Sequence, residues 1–253
     1  MNTVLIPGKK KEPKQKGLKA DLHTHTCDGF MEKSINYNAF QLIDAAMEKG
    51  LDVLSITNHD DFTYSEYLKD YACERGILLI PGIELTIKQK HVLAYPLSGS
   101  VEDIHDLCDL EQRMDKDLLL VAPHPFYPIG RSLGEKFTAW RHIFDAVELC
   151  HFYTASINFN KKAVEAAKKY NLPLLGTSDS HSFQQLGTTY SFIYAEKDPE
   201  AVFEAIRNGF VDVVTAPLSM LDIGMLFHEL VIQNSMKKIS AACISLFSFL
   251  NKS

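Results

Sequence analysis

The feature that most limits the fold of this chain is the alternation of apolar, strand-like runs with amphipathic helical segments. The apolar runs LDVLSITN and ILLIPGIEL are short enough to be buried strands, and the helical segments 38–49 and 64–75 end at Gly50 and Gly76. Strands that alternate with helices of about 10–15 residues indicate parallel β/α units. The sequence therefore predicts an α/β fold.

Composition and charge disfavour several classes of protein. A chain of 253 residues can bury a full core without disulfides or a structural metal. Its net charge of −6 disfavours a dedicated nucleic-acid binder, which usually presents a basic face. The five cysteines are widely spaced and never form Cys-x-x-Cys, which favours reduced thiols. Because no signal-peptide pattern and no apolar run of about 18 residues is present, we expect a cytoplasmic protein without a membrane span.

Polar side chains stand at the positions where the strand-like runs end. In folds built from parallel β/α units, active-site residues follow the carboxyl ends of the strands, because that edge carries the βα loops. Packing does not explain why so many strand ends carry metal-binding types of side chain. The residues concerned are His23, His25, His59, Glu84, His124, Asp179 and His181.

The segment DLHTHTCDG carries the strongest signal. In an extended chain, residues i and i+2 point the same way, so His23 and His25 can bind one ion together. Imidazole nitrogen suits zinc, iron and manganese. Asp28 adds a carboxylate on the loop that follows, and the segment TSDSH repeats the i, i+2 spacing with Asp179 and His181.

Two further residues are unusual in their apolar surroundings. Glu84 ends an apolar run, where a carboxylate is costly to bury unless it is paired or metal-bound. A carboxylate can also bridge two ions, which neutral imidazole cannot do. His91 lies in the apolar run HVLAYPL, where a lone histidine is usually a core residue, but its position beside Glu84 favours a ligand.

Taken in order, DLHTHT…DG, NHD, GIE, a histidine in an apolar run, HP and SDSH resemble the motifs of the PHP (polymerase and histidinol phosphatase) family over roughly residues 18–210. The resemblance implies a distorted (β/α)7, TIM-like barrel that holds two or three divalent metal ions, zinc, manganese or iron, at the C-terminal edge of its strands. Matching motif to motif, it implies a first ion at His23, His25, Glu84 and Asp179, a second at Glu84, His91 and His124, and a third at Asp28, His59 and His181.

The chain departs from the family pattern in two places. Only Thr26 and Cys27 separate the second histidine from Asp28, where many members have a longer loop. The stretch between His91 and His124 is also too short for the large domain that some members insert there.

The ligand set predicts a metal-dependent hydrolase of phosphate esters, a phosphatase acting on a small phosphomonoester or a nucleotide. The nucleophile would be a hydroxide activated at a di- or trinuclear metal site. Predicted catalytic residues are Glu84, Asp60, His181 and His151, with Asp60 orienting a ligand and either histidine protonating the leaving alkoxide. Arg131 is the candidate phosphate clamp.

Three other functions stay open at this point. The same chemistry could cleave an amide or a lactone, a nuclease could act on oligonucleotides, or a regulatory protein could bind metals without turnover. The acidic net charge and the absent inserted domain disfavour a nuclease and a stable nucleic-acid partner, and only the Lys-rich N-terminus supports them.

We expect three segments: a flexible basic tail over residues 1–17, a PHP barrel domain over 18–216, and a C-terminal helical extension over 217–253. The extension is rich in apolar residues and is expected to pack on the barrel or on a second subunit, which would give a homodimer.

Overall fold

The computed structural model describes residues 3–9, 16–96, 104–113 and 117–219, with Asp222 and Gly224. Contacts divide the chain into one unit from Met1 to Pro217 and another from Leu218 to Ser253. Most of the predicted helical extension lies outside the described residues, as does the part of the basic tail from 10 to 15. Within the described ranges, no helix combines the length and apolar character needed to cross a bilayer.

The described part of the first unit contains eleven strands and six α-helices. The strands are β1 (Val4–Ile6), β2 (Leu18–Asp21), β3 (Val53–Ile56), β4 (Leu78–Pro81), β5 (Ile83–Ile87), β6 (Lys90–Pro96), β7 (Leu118–Ala122), β8 (Ala146–Cys150), β9 (Leu174–Thr177), β10 (Tyr190–Ile193) and β11 (Val211–Thr215). The helices are α1 (Ala39–Glu48), α2 (Glu66–Glu74), α3 (Leu107–Gln112), α4 (Lys136–Trp140), α5 (Asn160–Tyr170) and α6 (Pro199–Asn208).

Local sequence explains where the longer helices begin and end. Asn38 caps α1 by accepting a hydrogen bond from the backbone of Gln41, whose side chain accepts one in return from the backbone of Asn38. Helix α6 has Asp198 as its N-cap, Pro199 in its first turn and Gly209, with a positive φ, at its end.

The strands form two mixed sheets, with orders β1-β11-β10-β2-β3-β4 and β5-β6-β7-β8-β9. The pairs β2–β3, β3–β4, β7–β8 and β8–β9 are parallel, as expected for β/α units. The pairs that β6 makes with β5 and β7, and those that β10 makes with β11 and β2, are antiparallel.

The predicted (β/α)7 TIM-like barrel is therefore wrong, because the described strands lie in two mixed sheets that do not close. A tight turn, with positive φ at Lys88 and Gln89, joins β5 to β6, so no helix intervenes and the chain reverses. Between the sheets, isolated bridges join Thr24 to Ser180 and His59 to Glu84.

Part of the segment predicted as a flexible tail is a strand. Strand β1 pairs antiparallel with β11, with Leu5 opposite Val214. The backbone N–H of Gly8 also donates to Asp212, at 2.8 Å, and that of Lys9 to the carbonyl of Gly209, at 2.8 Å. Val4–Ile6 is therefore a paired strand within the segment predicted as a tail.

One of the apolar clusters joins the two sheets. It contains Ala20 and Val53 of the first sheet and Leu93, Leu119 and Leu175 of the second. Two further clusters pack α1 and α2 against the first sheet and α4 and α5 against the second. This packing holds the carboxyl ends of β2, β3, β7 and β9 near strands β5 and β6.

Candidate metal centre

Backbone pairing sets the positions of the first two histidines. The chain stays extended past β2, so His23 and His25 point the same way while Thr24 lies between them. The backbone N–H of His25 donates to the carbonyl of Ser180, at 3.0 Å, and Ser180 donates back to the carbonyl of His23, at 3.4 Å. These bonds bring the two histidine-containing loops together.

Glu84 is the centre of the site. Its Oε2 lies 3.3 Å from His23 Nε2, 3.5 Å from His25 Nε2 and 3.0 Å from His59 Nε2. Its Oε1 lies 2.7 Å from His91 Nδ1 and 3.2 Å from His124 Nε2. One buried carboxylate thus faces five imidazole rings and divides them between its two oxygens.

Asp179 contacts the same ring nitrogens of His23 and His25 as Glu84 does. Its Oδ1 is 3.3 Å from Nε2 of the first ring and 3.2 Å from Nε2 of the second. His181 follows two residues later, with its ring stacked on that of His25 at 4.4 Å between centroids. Eight of the nine predicted ligands therefore lie together in the structure.

Asp28 is the predicted ligand that lies apart from this group. It is exposed, and its Oδ2 accepts hydrogen bonds from Thr26 Oγ1 and from the backbone N–H of Ala39, the first residue of α1. This carboxylate fixes the start of a helix.

Glu32, which the sequence analysis did not single out, is buried beside the predicted third ion site. Its Oε1 lies 2.5 Å from His59 Nδ1 and 3.5 Å from His25 Nδ1. Gly29 leaves room for it, since a Cβ there would lie 2.2 Å from Glu32 Oε2. The sequence signal was available, because Glu32 lies on the loop that follows the His23–His25 pair.

Glu148 is the second residue that sequence reasoning missed. It is fully buried in β8, and its Oε1 lies 2.6 Å from His23 Nδ1 and accepts from Thr177 Oγ1. Its Oε2 accepts from the backbone N–H of His124. A carboxylate on Nδ1 leaves Nε2 of His23 free to face Glu84 and Asp179. A lone glutamate in the apolar run AVELC was the signal.

Several site residues adopt backbone conformations that L-amino acids rarely occupy. Asp60, His124 and Asp179 have φ values of 50°, 28° and 47°. Such conformations cost about 1–3 kcal/mol each and concentrate at functional sites. Three strained backbone positions around one cluster indicate that the placement of these side chains offsets the cost of the strain.

The donor set fits divalent cations. Buried polar atoms without a hydrogen-bond partner include His23 Nε2, both ring nitrogens of His25, Glu32 Oε2 and Glu84 Oε2. Groups of three whose ligand atoms lie within 4.8 Å of one another are His23–His25–Glu84, His25–Asp179–His181, His25–Glu32–His59 and His59–Glu84–His91. Buried nitrogen and carboxylate atoms arranged this way can hold zinc, manganese or iron.

The pKa values of His59 and Glu84 are shifted in the directions that favour positive charge at this site. Burial lowers the pKa of His59, but hydrogen bonds to Glu32 and Glu84 outweigh it and raise this pKa to about 10. Burial likewise opposes ionisation of Glu84, yet the histidines around it hold its pKa well below the usual range. His181 is only partly buried, with 43% of its side chain exposed, and this partial burial together with the nearby charge of His25 lowers its pKa to about 4. A neutral His181 suits a metal ligand better than a proton donor.

The other predicted catalytic and substrate-binding residues surround this group. Asp60 is exposed, and its Oδ1 accepts from the backbone N–H of Thr86, at 2.6 Å, so it holds β5 in place. His151 is buried, and its Nε2 lies 3.3 Å from Nε2 of Gln185. Arg131 donates to Gln89 Oε1, at 3.0 Å, at the β5–β6 turn.

Comparison with known proteins agrees with the resemblance inferred from the sequence motifs. The PHP_C, PHP-associated, family model matches residues 158–211. Two proteins of Methanocaldococcus jannaschii are similar in sequence. Uncharacterized protein MJ1587 is 27% identical over 47% of this chain and 74% of its own length. Uncharacterized protein MJ0417 is 25% identical over 68% of this chain and 69% of its own length.

Two crystal structures share the fold. PsfC from Pseudomonas syringae PB-5123 superposes with a TM-score of 0.62 at 17% identity, covering 87% of this chain and 99% of its own. A candidate metal-dependent phosphoesterase from Bifidobacterium adolescentis has a TM-score of 0.50 at 14% identity, covering 66% of this chain and 89% of its own. The family-model match therefore supports the predicted resemblance to the PHP family over residues 158–211.

Proposed function

We propose that this protein is a divalent-metal-dependent hydrolase of phosphate monoesters. The observation that carries the proposal is Glu84, whose two oxygens face different sets of histidines. A carboxylate shared in this way is suited to bridge two cations, and paired cations clamp the attacking and leaving oxygens of a phosphoryl group. The similarity in fold to the candidate phosphoesterase of Bifidobacterium adolescentis supports it.

The residues would divide among the ions as follows. His23, His25, Glu84 and Asp179 would hold the first, and Glu84, His91 and His124 the second. For the third we assign Glu32 with His59 and His181, in place of the predicted Asp28. Bound ions would supply a water of lowered pKa and positive charge against the phosphoryl oxygens.

The protein's own side chains would prepare the site for these ions. Glu148 fixes the proton of His23 on Nδ1, so that Nε2 is directed inward. Glu32 Oε1 faces Nδ1 of His59, so the two residues would bind the third ion together. His151 and Gln185 lie beside His181, whose backbone N–H donates to Gln185 Oε1, at 2.7 Å. We expect this pair to orient the ester on that side, and Arg131 remains the candidate phosphate clamp.

The proposal is tested by metal content and turnover measured on the same samples. Protein purified without chelator is analysed for metal, loaded with Mn²⁺ or Zn²⁺, and assayed on a panel of phosphomonoesters, phosphodiesters, amides and lactones. Wild-type protein should bind two to three ions and release phosphate from monoesters. Glu84→Gln should bind less metal, and its turnover rate should fall at least 100-fold.

Glu111→Gln is the matched control, because Glu111 also pairs with a histidine, His142 at 2.7 Å, on an exposed surface. It should behave as the wild type. Metal-loaded protein that cleaves only amides or lactones, or that cleaves nothing on the panel, would overturn the proposal.

A further inference from the structure

The loop that follows β7 returns to the first residues of β6. Three consecutive carbonyl groups of this loop, those of Gly130, Arg131 and Ser132, accept hydrogen bonds from that strand. The side chain of Lys90 donates to the first, at 2.8 Å, and to the third, at 2.7 Å. The backbone N–H of His91 donates to the second, at 2.9 Å. These three loop residues, which we call the bracket, are therefore fixed to the strand that carries His91.

Ser132 of the bracket also contacts His124, the predicted ligand that follows β7. Its Oγ donates to the carbonyl of His124, at 2.8 Å, and lies 3.2 Å from Nδ1 of the same residue. A hydroxyl has one proton to donate, and the carbonyl accepts it, so Nδ1 must be the donor in the second contact. In a neutral ring the proton is then on Nδ1, and Nε2, 3.2 Å from Glu84 Oε1, is the nitrogen available to a cation.

The backbone of His124 depends on the same hydroxyl. Its φ of 28° is a strained value, and such conformations persist only where surrounding contacts hold them. Its N–H donates to Glu148 Oε2, and its carbonyl accepts from Ser132 Oγ and from the backbone N–H of Tyr127, at 3.2 Å. Ser132 is buried, so the protein and not solvent supplies this bond. One side chain thus fixes both the backbone and the ring of His124.

The two histidines that the bracket contacts belong to one predicted ion. His91 Nδ1 and His124 Nε2 face the same oxygen of Glu84, Oε1, at 2.7 and 3.2 Å, whereas other histidines around this carboxylate face Oε2. The two rings come from neighbouring strands, but the pairing of β6 with β7 ends at Leu93 and Val121. It therefore stops short of both histidines, and the bracket connects them beyond that point.

We propose that the bracket is the positioning element of the second ion, and that Ser132 and Lys90 are its positioning residues. Ser132 orients the ring of His124, and Lys90 fixes the loop against the strand that carries His91. This rests on the metal centre of the proposed function and assigns to it two residues that act through the ligands. Loss of such a partner typically lowers metal affinity by about 10- to 100-fold. Removal of the bonds of the bracket should therefore weaken the second ion selectively.

The metal affinity of Ser132 variants tests the first of these roles. Wild-type and variant proteins are loaded with Zn²⁺, and the bound ions are titrated against a chelator. Ser132→Ala should bind one ion about 10- to 100-fold more weakly and the others within about 2-fold of wild type. Ser132→Thr keeps the hydroxyl and should retain the wild-type affinity.

NMR of the histidine rings shows whether the hydroxyl acts through His124. In Zn²⁺-loaded wild type, the Nδ1 proton of His124 should exchange slowly with water, because Ser132 accepts it in a buried position. In Ser132→Ala this proton should exchange faster, while the ring signals of His23 stay unchanged. A merely structural role for Ser132 would lower stability and leave the ring proton unaffected.

Lys90→Met tests the other half of the bracket, because methionine keeps the apolar stem and removes the donors. The amide of His91 should exchange faster with solvent, and the ion weakened by Ser132→Ala should be weakened here too. Lys69→Met is the control, since Lys69 donates to Glu66 on an exposed part of α2. It should change neither quantity.

Ser182→Ala is the control for Ser132→Ala. Ser182 is also buried and follows the predicted ligand His181, but its hydroxyl has no hydrogen-bond partner among the described residues. Its substitution should leave every ion and the ring proton of His124 unchanged. Equal loss of affinity in both serine variants, or wild-type affinity with an unchanged ring proton in Ser132→Ala, would overturn the proposal.

Measurements on metal-free protein keep this proposal apart from the proposed function. If the wild type binds no Zn²⁺, the proposed function fails, but exchange of the His124 ring proton and of the His91 amide is still measured. Faster exchange of the ring proton in Ser132→Ala and of the amide in Lys90→Met supports positioning of the two histidines by the bracket. Unchanged exchange at both overturns it whatever the metal analysis gives.

Discussion

At the scale of single residues, buried carboxylates determine what this site can bind. Glu32, Glu84 and Glu148 are buried, each with histidine nitrogens within 2.5–3.5 Å. A buried carboxylate without a partner would be strongly unfavourable, and protonated histidines or metal ions are the partners available. The three glutamates differ in what they hold, so substitutions at each should have different effects.

Glu148→Gln should weaken metal binding about 10- to 100-fold without removing a ligand. The amide can accept from only one of His23 Nδ1 and the backbone of His124, so its NH₂ group must face the other donor. Metal affinity is measured by competition with a chelator, and the tautomer of His23 by NMR of the ring nitrogens.

Glu165→Gln, on the exposed face of α5, is the control for Glu148→Gln. If Glu148→Gln lowers only thermal stability and leaves both the metal affinity and the His23 tautomer unchanged, Glu148 has no positioning role.

Glu32→Gln and Asp28→Ala form a matched pair that tests which of the two carboxylates on this loop binds a metal ion. Glu32→Gln should lower the metal content by one ion per chain, because Glu32 lies against His25 and His59. Asp28→Ala should keep the wild-type content but lower the free energy of unfolding by about 1 kcal/mol, since the start of α1 loses an acceptor. Elemental analysis and urea unfolding measure the two effects, and the opposite pattern would restore Asp28 as the ligand.

At the scale of elements, the sequence predicts helices better than it predicts strand partners. Helices α1 and α2 lie inside the predicted segments 38–49 and 64–75, because cap residues and apolar spacing are local signals. The direction of β6 depends on a turn formed by Lys88 and Gln89, which lacks the Asn-Gly pattern of tight hairpins. Strands β10 and β11 were not predicted at all, and their antiparallel pairings add to those of β6, which together rule out the expected barrel.

Deleting residues 1–9 should destabilise the first unit, although the sequence predicts a flexible tail there. The deletion removes β1 and the bonds from Gly8 and Lys9, which leaves one edge of β11 unpaired. We expect a loss of about 1–3 kcal/mol in the free energy of unfolding and faster hydrogen exchange at Val211–Thr215. A deletion of residues 1–3, which spares β1, is the control, and unchanged exchange in the longer deletion would contradict the pairing.

At the scale of the whole unit, the ligand set spans both sheets. His23, His25 and His59 follow strands of the first sheet, whereas Glu84, His91, His124 and Asp179 belong to the second or to the loops after it. Strand-end motifs indicated seven of the eight predicted ligands that cluster in the structure, and His91 was indicated by its place in an apolar run beside Glu84, because these signals are local. Glu32 and Glu148 carried only weak local signals, and their contacts with His59 and His23 appear only in the folded structure.

Metal removal should therefore lower the stability of the whole unit and not only its activity. Outside the apolar core, the sheets meet through bridges at Thr24–Ser180 and His59–Glu84 and through hydrogen bonds such as that from the backbone N–H of Ser178 to Asp21 Oδ1. Ions held between the sheets would add further bonds that exist only in the folded state. Ligand present at 100 times its Kd contributes about 2.7 kcal/mol, which corresponds to roughly 5–10 °C in Tm for a unit of this size. Thermal unfolding with chelator and with Mn²⁺ or Zn²⁺ measures the shift. The metal-dependent shift in Tm should be much smaller in Glu84→Gln and unchanged in Glu111→Gln. An equal shift in the two variants would mean that the ions bind elsewhere.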